Sequence, residues 1–514
     1  MKLYARIIAL LCALLMLAAC FVGCANTNEP SETTQSAQTQ NPSETEKPDD
    51  NLDPEGYWKD DLPEELDYKQ EIVSILTWSD AERKEFEILE DEADGDMVKD
   101  AIYRRNMSTE GRLGVTFEWY GEKGNSSNRK PFTQYVKNCY ENGTFYDIIA
   151  TYSRTAGMLL TEGLLQDLNT IEDSYINTAQ PWWPKSMLET CSIEDSLFFV
   201  SGDISTNVLH FMYAVYYNVD MLTNLQLEDP VKHVDGMTWT IDTLIEYTTE
   251  LYIDLDQTSD PSVDDQYGFC SQDFHLDAFY TGSNMKLLVP GEDTVLEISE
   301  DFFGQKTIDL VDKLGDWFKS GNTCVKHDGW SIDYDAPFEQ GNALFCLNRV
   351  YMADNEYSGG TAPLRNADFE YAILPVPLYD ENQEEYVTVV GNPFTLWCVM
   401  QNAKDPTMSS AVIECLASEG FRKTSPALFE NNMKYRYTPD SANKGDSARM
   451  FDLIHDTIAF DLGRIFSDIT GLMSEMPSKT AAGSTSWANA QPKYKNTLKR
   501  GLAELNKSLD KILG

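Results

Sequence analysis

Strand and helix patterns alternate along the first part of the folded chain, and this alternation limits the fold more than any other feature. Short apolar and β-branched runs at Glu71–Thr77, Val115–Trp119 and Tyr146–Tyr152 predict strands. They are separated by Asp96–Leu113 and Pro131–Glu141, which carry apolar residues at helical spacing. A strand–helix–strand order predicts a parallel sheet covered by helices, so the expected fold class is α/β.

The stretch Leu197–Asp220 predicts the point at which the chain passes from one α/β lobe to another. Two runs rich in β-branched and aromatic residues, Leu197–Val200 and Val208–Val219, predict buried strands, and the polar patch Ser201–Asn207 predicts a turn. The chain of 514 residues exceeds what one hydrophobic core holds. We therefore expect two lobes, with a ligand in the cleft between them, where a small molecule is buried on two sides.

The first 19 residues have the pattern of a secretory signal. Lys2 and Arg6 accompany the apolar run Ile7–Ala19, which is too short to span a membrane. The run and the next residue end in the tetrapeptide LAAC, typical of the lipidation signal of bacterial lipoproteins, so Cys20 is the predicted lipidation site. Cys24 is the alternative site, and a secreted protein without lipid is the remaining interpretation.

Residues 20–53 have the composition of a flexible tether. The segment Ala25–Asp53 consists mostly of Ser, Thr, Gln, Asn, Pro, Glu and Asp, so it cannot bury a core. A lipid at one end of such a tether predicts a folded body anchored at the extracellular face of the cell membrane, rather than a chain that crosses it.

The charge and the cysteines argue against several classes of partner. The net charge of −44, from 40 basic and 84 acidic residues, argues against nucleic acid and anionic membrane surfaces. Seven of the ten cysteines follow residue 24 and are scattered, without a CxxC or a paired histidine spacing. A zinc site is therefore not expected, and whether any disulfide forms stays open.

A series of short motifs follows in a fixed order from about Tyr68 onward, and together they resemble one known family. After the lipidation signal, the tether and the strand ending in Trp78, they are Gly95-Asp96, Ala101–Asn106, Tyr146–Ile149, Gly163–Leu168, Pro181–Trp183, Gly202–Ser205, Tyr217–Leu222, Trp239-Thr240, Ile373–Pro377 and Met450–Ile454. The ordered set resembles the family 1 extracellular solute-binding proteins of ABC importers, in the longer form of Gram-positive bacteria. The maltose-binding protein is a distant relative of that family.

This resemblance implies a two-lobed, periplasmic-binding-protein-like α/β fold with a multi-strand hinge, of type II. It implies a lobe I of residues 70–207 plus 391–424 and a lobe II of residues 208–390 plus 425–514. The implied chain crossings lie near Thr206–Phe211, Val387–Pro393 and Phe421–Ser425. The implied function is capture of a carbohydrate, most commonly an oligosaccharide, by lobe closure and its delivery to the transmembrane subunits of a permease. A protein of this kind is expected to be a monomer, to need no cofactor and to catalyse nothing.

Sugars present apolar C–H faces and hydroxyl edges, so aromatic and hydrogen-bonding side chains in the cleft are the candidate ligand-binding residues. Trp78 follows the first strand, at the carboxyl end where α/β sheets bind ligands. The resemblance to the maltose-binding protein implies a ligand role for Tyr152 and Arg154, and for Trp487. Further candidates lie in loop-like or crossing segments: Asp203, Asn207 and Trp330. An ordinary place in the core or in an exposed loop is the alternative for these residues.

Three acidic residues match part of a calcium-binding loop. Asp254, Asp256 and Asp265 occupy its first, third and twelfth positions. The fifth position is Thr258 and the sixth is Ser259, so the turn glycine is missing. The missing glycine favours a solvated acidic loop over a calcium site.

Two other functions remain open. A binding protein of the same fold for a peptide or a polyamine would also suit an acidic chain. A lipid-anchored glycoside hydrolase would need two carboxylates at a set separation. The chain carries none of the patterns GxSxG, HExxH or GxxxxGK[ST].

Overall fold

The structure is a computed structural model that describes residues 51, 52, 56–80, 97–258, 260–325, 332–353, 364, 367–428 and 444–514. Asn51–Gly514 forms one compact unit. Residues 1–50, with both candidate lipidation cysteines, lie outside the described residues. Within the described part of the chain, none of the helices has the length and apolar character needed to cross a membrane.

The strands are short and mostly buried. They are β1 (Glu71–Trp78), β2 (Val115–Glu122), β3 (Ile148–Tyr152), β4 (Tyr213–Asn218), β5 (Tyr267–Cys270), β6 (Leu288–Pro290), β7 (Leu296–Ile298), β8 (Thr323–Cys324), β9 (Ala343–Arg349), β10 (Tyr371–Leu374), β11 (Thr388–Val389), β12 (Thr395–Val399) and β13 (Ile458–Ala459).

The helices range from four to 27 residues. They are α1 (Met97–Leu113), α2 (Arg129–Glu141), α3 (Ser153–Thr161), α4 (Ser186–Cys191), α5 (Thr206–His210), α6 (Val219–Asn224), α7 (Val231–Asp235), α8 (Ile241–Tyr247), α9 (Asp277–Gly282), α10 (Glu300–Phe303), α11 (Gln305–Lys319), α12 (Ala336–Glu339), α13 (Pro406–Glu419), α14 (Lys444–Asp456), α15 (Leu462–Ile465), α16 (Ser467–Thr470), α17 (Glu475–Ala482) and α18 (Trp487–Leu513).

The first sheet has the strand order β12-β3-β1-β2. Strand β1 pairs in parallel with both β2 and β3, and β12 pairs antiparallel with β3. The parallel pairing expected from the alternating pattern is therefore confirmed. It follows that β1 and β3 end at the same edge of the sheet, beside each other.

The second sheet has the strand order β10-β4-β9-β5-β8. Strands β5, β8 and β9 are parallel, whereas β4 lies antiparallel to both β9 and β10. We use lobe I for the first sheet with α1–α3 and α13, and lobe II for the second sheet with α6–α12 and α14–α18.

In the part of the chain that the structure describes, three passages lead from one sheet toward the other. Val200 pairs with Trp397 of the first sheet, and the next strand, β4, belongs to the second sheet. On the return, Val390 pairs with Met212, and β12 then joins the first sheet. The third passage begins at the π-helical turn Gly420–Thr424 after α13, and α14 follows it against β10.

One predicted strand is shorter than expected. The run Val208–Val219 forms a strand only from Tyr213 to Asn218, because residues 206–210 form the short helix α5. The side chain of Asn207 explains the difference, since it makes two hydrogen bonds with Thr395 and holds this segment against β12. Leu197–Val200 is also not a strand and makes only the single bridge at Val200.

The last helix, α18, carries a stripe of apolar residues at helical spacing. Leu498, Leu505 and Leu509 are fully buried, and Leu502 and Ile512 pack against the core. This stripe therefore forms part of the hydrophobic core, as is usual for one apolar face of a helix.

Candidate functional site

Two of the predicted aromatic residues meet at the carboxyl edge of the first sheet. Trp78 ends β1 and Tyr152 ends β3, and their ring centroids are 5.3 Å apart in an edge-to-face arrangement. Both side chains are buried. The indole N–H of Trp78 donates a 3.0 Å hydrogen bond to Oγ1 of Thr395 at the start of β12. The parallel strands thus place an aromatic pair beside the chain passages between the lobes.

Asn207 joins this aromatic pair through the same threonine. Its Nδ2 donates to Thr395 Oγ1 over 2.9 Å, and its Oδ1 accepts the backbone N–H of Thr395 over 3.0 Å. Asn207 lies on the first passage and Thr395 on the second. The hydrogen bonds therefore tie two passages to each other and to Trp78.

Arg129 is a residue of this site that the sequence analysis missed. Its guanidinium lies 5.3 Å from the centre of the Tyr152 ring, a cation–π distance. Its Nε and Nη2 donate to the two carboxylate oxygens of Asp468, with 3.0 Å between Nη2 and Oδ1. Arg129 begins α2 of lobe I, and Asp468 lies on α16 of lobe II. This bidentate pair therefore bridges the lobes directly over the aromatic site.

Arg154 takes part in a second bridge between the lobes. Its Nη2 lies 4.0 Å from Oε1 of Glu475, the first residue of α17. Nε of Arg154 and Oε2 of Glu475 are buried and have no hydrogen-bond partner among the described residues. Buried polar groups of proteins are nearly always hydrogen-bonded. A polar group of a ligand at this place would form hydrogen bonds with both of these atoms, one from each lobe.

Helix α3 brings the lobes into close contact. It packs against α15, α16 and α18 of lobe II. At Gly157 a Cβ atom would lie 2.7 Å from the backbone oxygen of Ile465 and 3.1 Å from the Phe466 ring. Only a glycine leaves room for this approach. We call the contact of α2, α3 and the ends of β1 and β3 with α15–α17 the interlobe seam.

Arg464 anchors the lobe II side of the seam to the second passage. Its Nη1 donates to Oδ2 of Asp277 and to Oγ of Ser474, each at 2.5 Å, and its Nη2 donates to the backbone oxygen of Val390. Burial raises the pKa of the Asp277 carboxyl, although the charge of Arg464 opposes that change. The guanidinium thus fixes the start of α17 next to the passage that leads into lobe I.

Asp203 lies apart from the aromatic pair. Its Oδ1 accepts a hydrogen bond from Ser425 on the third passage, and its Oδ2 lies 3.7 Å from Nε2 of His455 on α14. Asp203 and His455 both line a cavity of about 570 Å³ whose wall also includes Trp58 and Trp183. Asp203 therefore links the first passage to the third passage and to α14, and these contacts are not part of the interlobe seam.

Because His455 lies next to Asp203 and Asp456, we expect the stability of the fold to depend on pH. Burial opposes protonation, but the hydrogen bonds and charges of Asp203 and Asp456 outweigh it and raise the pKa of His455 to about 10. A raised histidine pKa adds stability that is complete below the unfolded value of 6.5 and is lost as the pH rises through about 10. We expect His455→Gln to flatten the fall in unfolding free energy between about pH 7 and 10, measured by denaturant titration. Parallel wild-type and variant curves would contradict this assignment.

The other tryptophan candidates differ from Trp78 in their surroundings. Trp487 is fully buried at the start of α18, where its ring stacks on Tyr494 and its indole N–H donates to the backbone oxygen of Phe302. These are core contacts, so we leave Trp487 out of the seam. Trp330 lies outside the described residues.

The predicted acidic loop brings its three aspartates together. Carboxylate oxygens of Asp254, Asp256 and Asp265 lie within 4.8 Å of one another. Asp265 is buried and accepts the backbone N–H groups of Leu255 and Ser262. The carboxylate of Asp265 thus stabilises the loop through hydrogen bonds to its backbone.

Comparisons with known proteins place this arrangement in a fold class. No protein-family profile and no curated protein sequence matches the chain. Among solved structures, the cyclic α-maltosyl-1,6-maltose binding protein from Arthrobacter globiformis superposes with a TM-score of 0.55 and 13% identity, over 85% of this chain and 100% of that one.

Two more structures show the same likeness. The galacto-N-biose/lacto-N-biose I-binding protein of the ABC transporter from Bifidobacterium longum gives a TM-score of 0.53 at 11% identity, over 85% of this chain and 98% of that one. The maltose-maltodextrin binding protein of Alicyclobacillus acidocaldarius gives 0.51 at 12% identity, over 84% and 100%.

The class defined by these comparisons is the two-lobed, type II periplasmic-binding-protein fold, of the maltose-binding-protein kind. The α/β fold class and the resemblance expected from the sequence are confirmed at the level of the fold.

Proposed function

We propose that this chain is a lipid-anchored, extracellular substrate-binding protein of an ABC importer. It belongs to the family 1 solute-binding proteins, captures a carbohydrate, an oligosaccharide, in the interlobe seam and delivers it to a membrane permease of a Gram-positive bacterium. The lobe boundaries at residues 70–207 plus 391–424 and 208–390 plus 425–514 belong to this proposal.

The aromatic pair Trp78–Tyr152 carries the proposal. It lies at the carboxyl edge of two parallel strands, next to the passages between the lobes, where open α/β sheets bind ligands. Aromatic faces suit the C–H faces of sugars, and the adjacent guanidinium and carboxylate groups suit hydroxyls. Structures with this fold have been solved with oligosaccharides bound, including maltotetraose and cycloalternan.

The seam is better suited to binding than to catalysis. A glycoside hydrolase needs one carboxyl group as a proton donor and a second at a set separation. Both carboxylate oxygens of Asp468 instead accept hydrogen bonds from Arg129, which leaves this carboxyl engaged as an acceptor. We therefore propose that the ligand leaves this protein unchanged.

A thermal-shift screen of residues 51–514 tests the proposal. The panel contains oligosaccharides of several linkages, amino acids, peptides and polyamines. A ligand at about 100 times its dissociation constant stabilises the folded state by about 2.7 kcal/mol, which raises the melting temperature. We expect one sugar class to produce this shift and to be recovered intact. A shift with peptides or polyamines alone would remove the carbohydrate from the proposal, and consumption of the sugar would favour the hydrolase.

The anchoring part of the proposal has a separate test. We expect Cys20→Ser to abolish lipid attachment and to release the protein from the membrane fraction, because only the residue at the cleavage site receives the lipid. Cys24→Ser is the matched control and leaves attachment intact. Mass spectrometry of the mature N-terminus measures both variants. Release by Cys24→Ser alone would move the site to Cys24.

A further inference from the structure

The outer face of the last helix, α18, carries a charge opposite to that of the chain as a whole. Along its 27 residues the helix has six basic and two acidic side chains, whereas the whole chain has 40 basic and 84 acidic residues. All eight charged side chains of α18 are exposed. The six basic residues are Lys493, Lys495, Lys499, Arg500, Lys507 and Lys511. The helix is therefore a basic surface on an acidic protein.

Carboxylates of the fold do not neutralise these basic side chains. Lysines elsewhere on the surface form ion pairs, such as Lys137 with Glu162 at 2.6 Å and Lys232 with Glu228 at 3.0 Å. In the part of the chain that the structure describes, no ion pair joins any of the six basic residues of α18 to a carboxylate. Their positive charge is therefore available to an anionic partner.

Four of the six residues lie on one line along the helix. Successive members of the line are separated by seven, seven and four residues, in the order Lys493, Arg500, Lys507 and Lys511. These separations are close to whole turns of an α-helix, so the four side chains point to the same side. At 1.5 Å per residue the line is about 27 Å long. The opposite face of α18 is buried in the core, so a partner meets this helix only through its charged face.

An anionic lipid surface is the partner that fits such a line. Clusters of four to eight Lys and Arg residues on one face of a helix are typical of contacts with the phosphate headgroups of anionic lipids. The net charge of −44 argues against such a surface for the chain as a whole. Charges farther away than about 8 Å are largely screened at physiological salt, however, so the local charge of α18 dominates where this helix meets a surface.

The length of the predicted tether brings a membrane within reach of this helix. Residues 20–53 would connect the folded body to a lipid at Cys20. A flexible chain of that length has a root-mean-square span of about 30 Å. Such confinement raises the effective concentration of the membrane surface to the order of millimolar, so that a contact too weak to persist in free solution becomes populated.

We propose that the exposed basic face of α18 docks on the anionic phospholipid headgroups of the membrane and holds lobe II against that surface. The membrane's proximity rests on the anchoring part of the proposed function, whereas the contact itself depends only on the charge of α18. The lipid and the basic face then act as two membrane signals on one chain, and the second fixes which side of the body faces the membrane.

A flotation assay with phospholipid vesicles tests the contact. The chain from residue 20 onward, produced without its signal segment, carries no lipid, so any binding to vesicles comes from the protein surface. We expect it to float with vesicles of phosphatidylglycerol and phosphatidylcholine in equal parts, and not with phosphatidylcholine alone. Between about 50 mM and about 500 mM salt the affinity should fall by about 10-fold, because salt screens a contact made by exposed charges.

Two sets of four substitutions separate the charge of α18 from the net charge of the chain. The first set replaces the line on α18: Lys493→Gln, Arg500→Gln, Lys507→Gln and Lys511→Gln. Each basic residue near an anionic membrane strengthens binding about fivefold, so we expect this variant to bind about 100-fold more weakly. The matched control makes the same change in net charge at ion-paired lysines outside α18 and should bind like the wild type: Lys69→Gln, Lys137→Gln, Lys232→Gln and Lys404→Gln.

A third variant is expected to gain affinity, which misfolding cannot produce. Glu504→Gln with Asp510→Asn removes the two carboxylates of α18. We expect this variant to bind phosphatidylglycerol vesicles about 10-fold more tightly than the wild type. An unchanged affinity would contradict the proposal.

The outcomes separate this inference from the proposed function. Equal flotation with both kinds of vesicle, or an equal loss of affinity in the matched control, overturns docking through α18. Binding of soluble polyphosphate without binding to vesicles overturns the membrane as the partner. A lipid-free chain that fails to float overturns docking and leaves lipid anchoring, which the cysteine variants test, in place. A chain that floats although neither Cys20 nor Cys24 receives a lipid keeps docking and loses the anchor.

Discussion

Replacement of Arg464 by methionine is expected to lower the free energy of unfolding by about 3–5 kcal/mol, because it leaves Asp277 buried without its cation. Both side chains are 4% exposed. Arg464 also donates to Ser474 and to the backbone oxygen of Val390, so its loss frees the start of α17 from the second passage. Denaturant titration of residues 51–514 measures the change.

A double variant shows whether the unpaired charge or the lost packing causes the expected loss of stability. In Arg464→Met with Asp277→Leu, no unpaired buried charge remains, and we expect most of the lost stability to return. Arg500→Met, on the exposed face of α18, is the control and should change the unfolding free energy little. A double variant as unstable as the single one would show that the pair is not the cause.

Replacement of Gly157 by alanine is expected to weaken ligand binding by about 5- to 150-fold, the equivalent of about 1–3 kcal/mol of overpacking. The new Cβ would lie 2.7 Å from the backbone oxygen of Ile465, and backbone does not move aside as a flexible side chain does. Separation of the lobes relieves this contact, so the cost falls on closure rather than on folding. Calorimetry with the binding sugar measures the affinity, and X-ray scattering measures the lobe separation.

Gly111→Ala is the matched control for this variant. Gly111 is also within a helix, but its Cβ position has no atom within 4 Å, so alanine should leave binding unchanged and stabilise α1 by about 1 kcal/mol. Equal affinities for wild type and Gly157→Ala would mean that closure of the seam is not part of binding.

The sequence predicted those features that depend on local pattern. The alternation of strand and helix patterns predicted the parallel sheet, and the position of Trp78 after a strand placed it at the carboxyl edge of that sheet. The resemblance supplied Tyr152.

The charged part of the seam depends on contacts that no local pattern reveals. Arg129 and Asp468 are 339 residues apart in the chain. In a chain with 84 acidic residues, nothing in the neighbourhood of Asp468 or Glu475 distinguishes them from solvated surface. The helix α5 was missed for a related reason, since the contacts of Asn207 with β12 override the strand preference of the residues that follow.

Native mass spectrometry of residues 51–514, incubated with the sugar that raises the melting temperature, tests whether the protein binds an oligosaccharide without cleaving it. We expect one intact oligosaccharide per chain, with the mass of the added sugar unchanged in both the complex and the solution. We also expect weaker occupancy for Gly157→Ala and full occupancy for Gly111→Ala. Shortened sugar in the solution, or a sugar bound equally well when the lobes cannot close, would contradict these expectations.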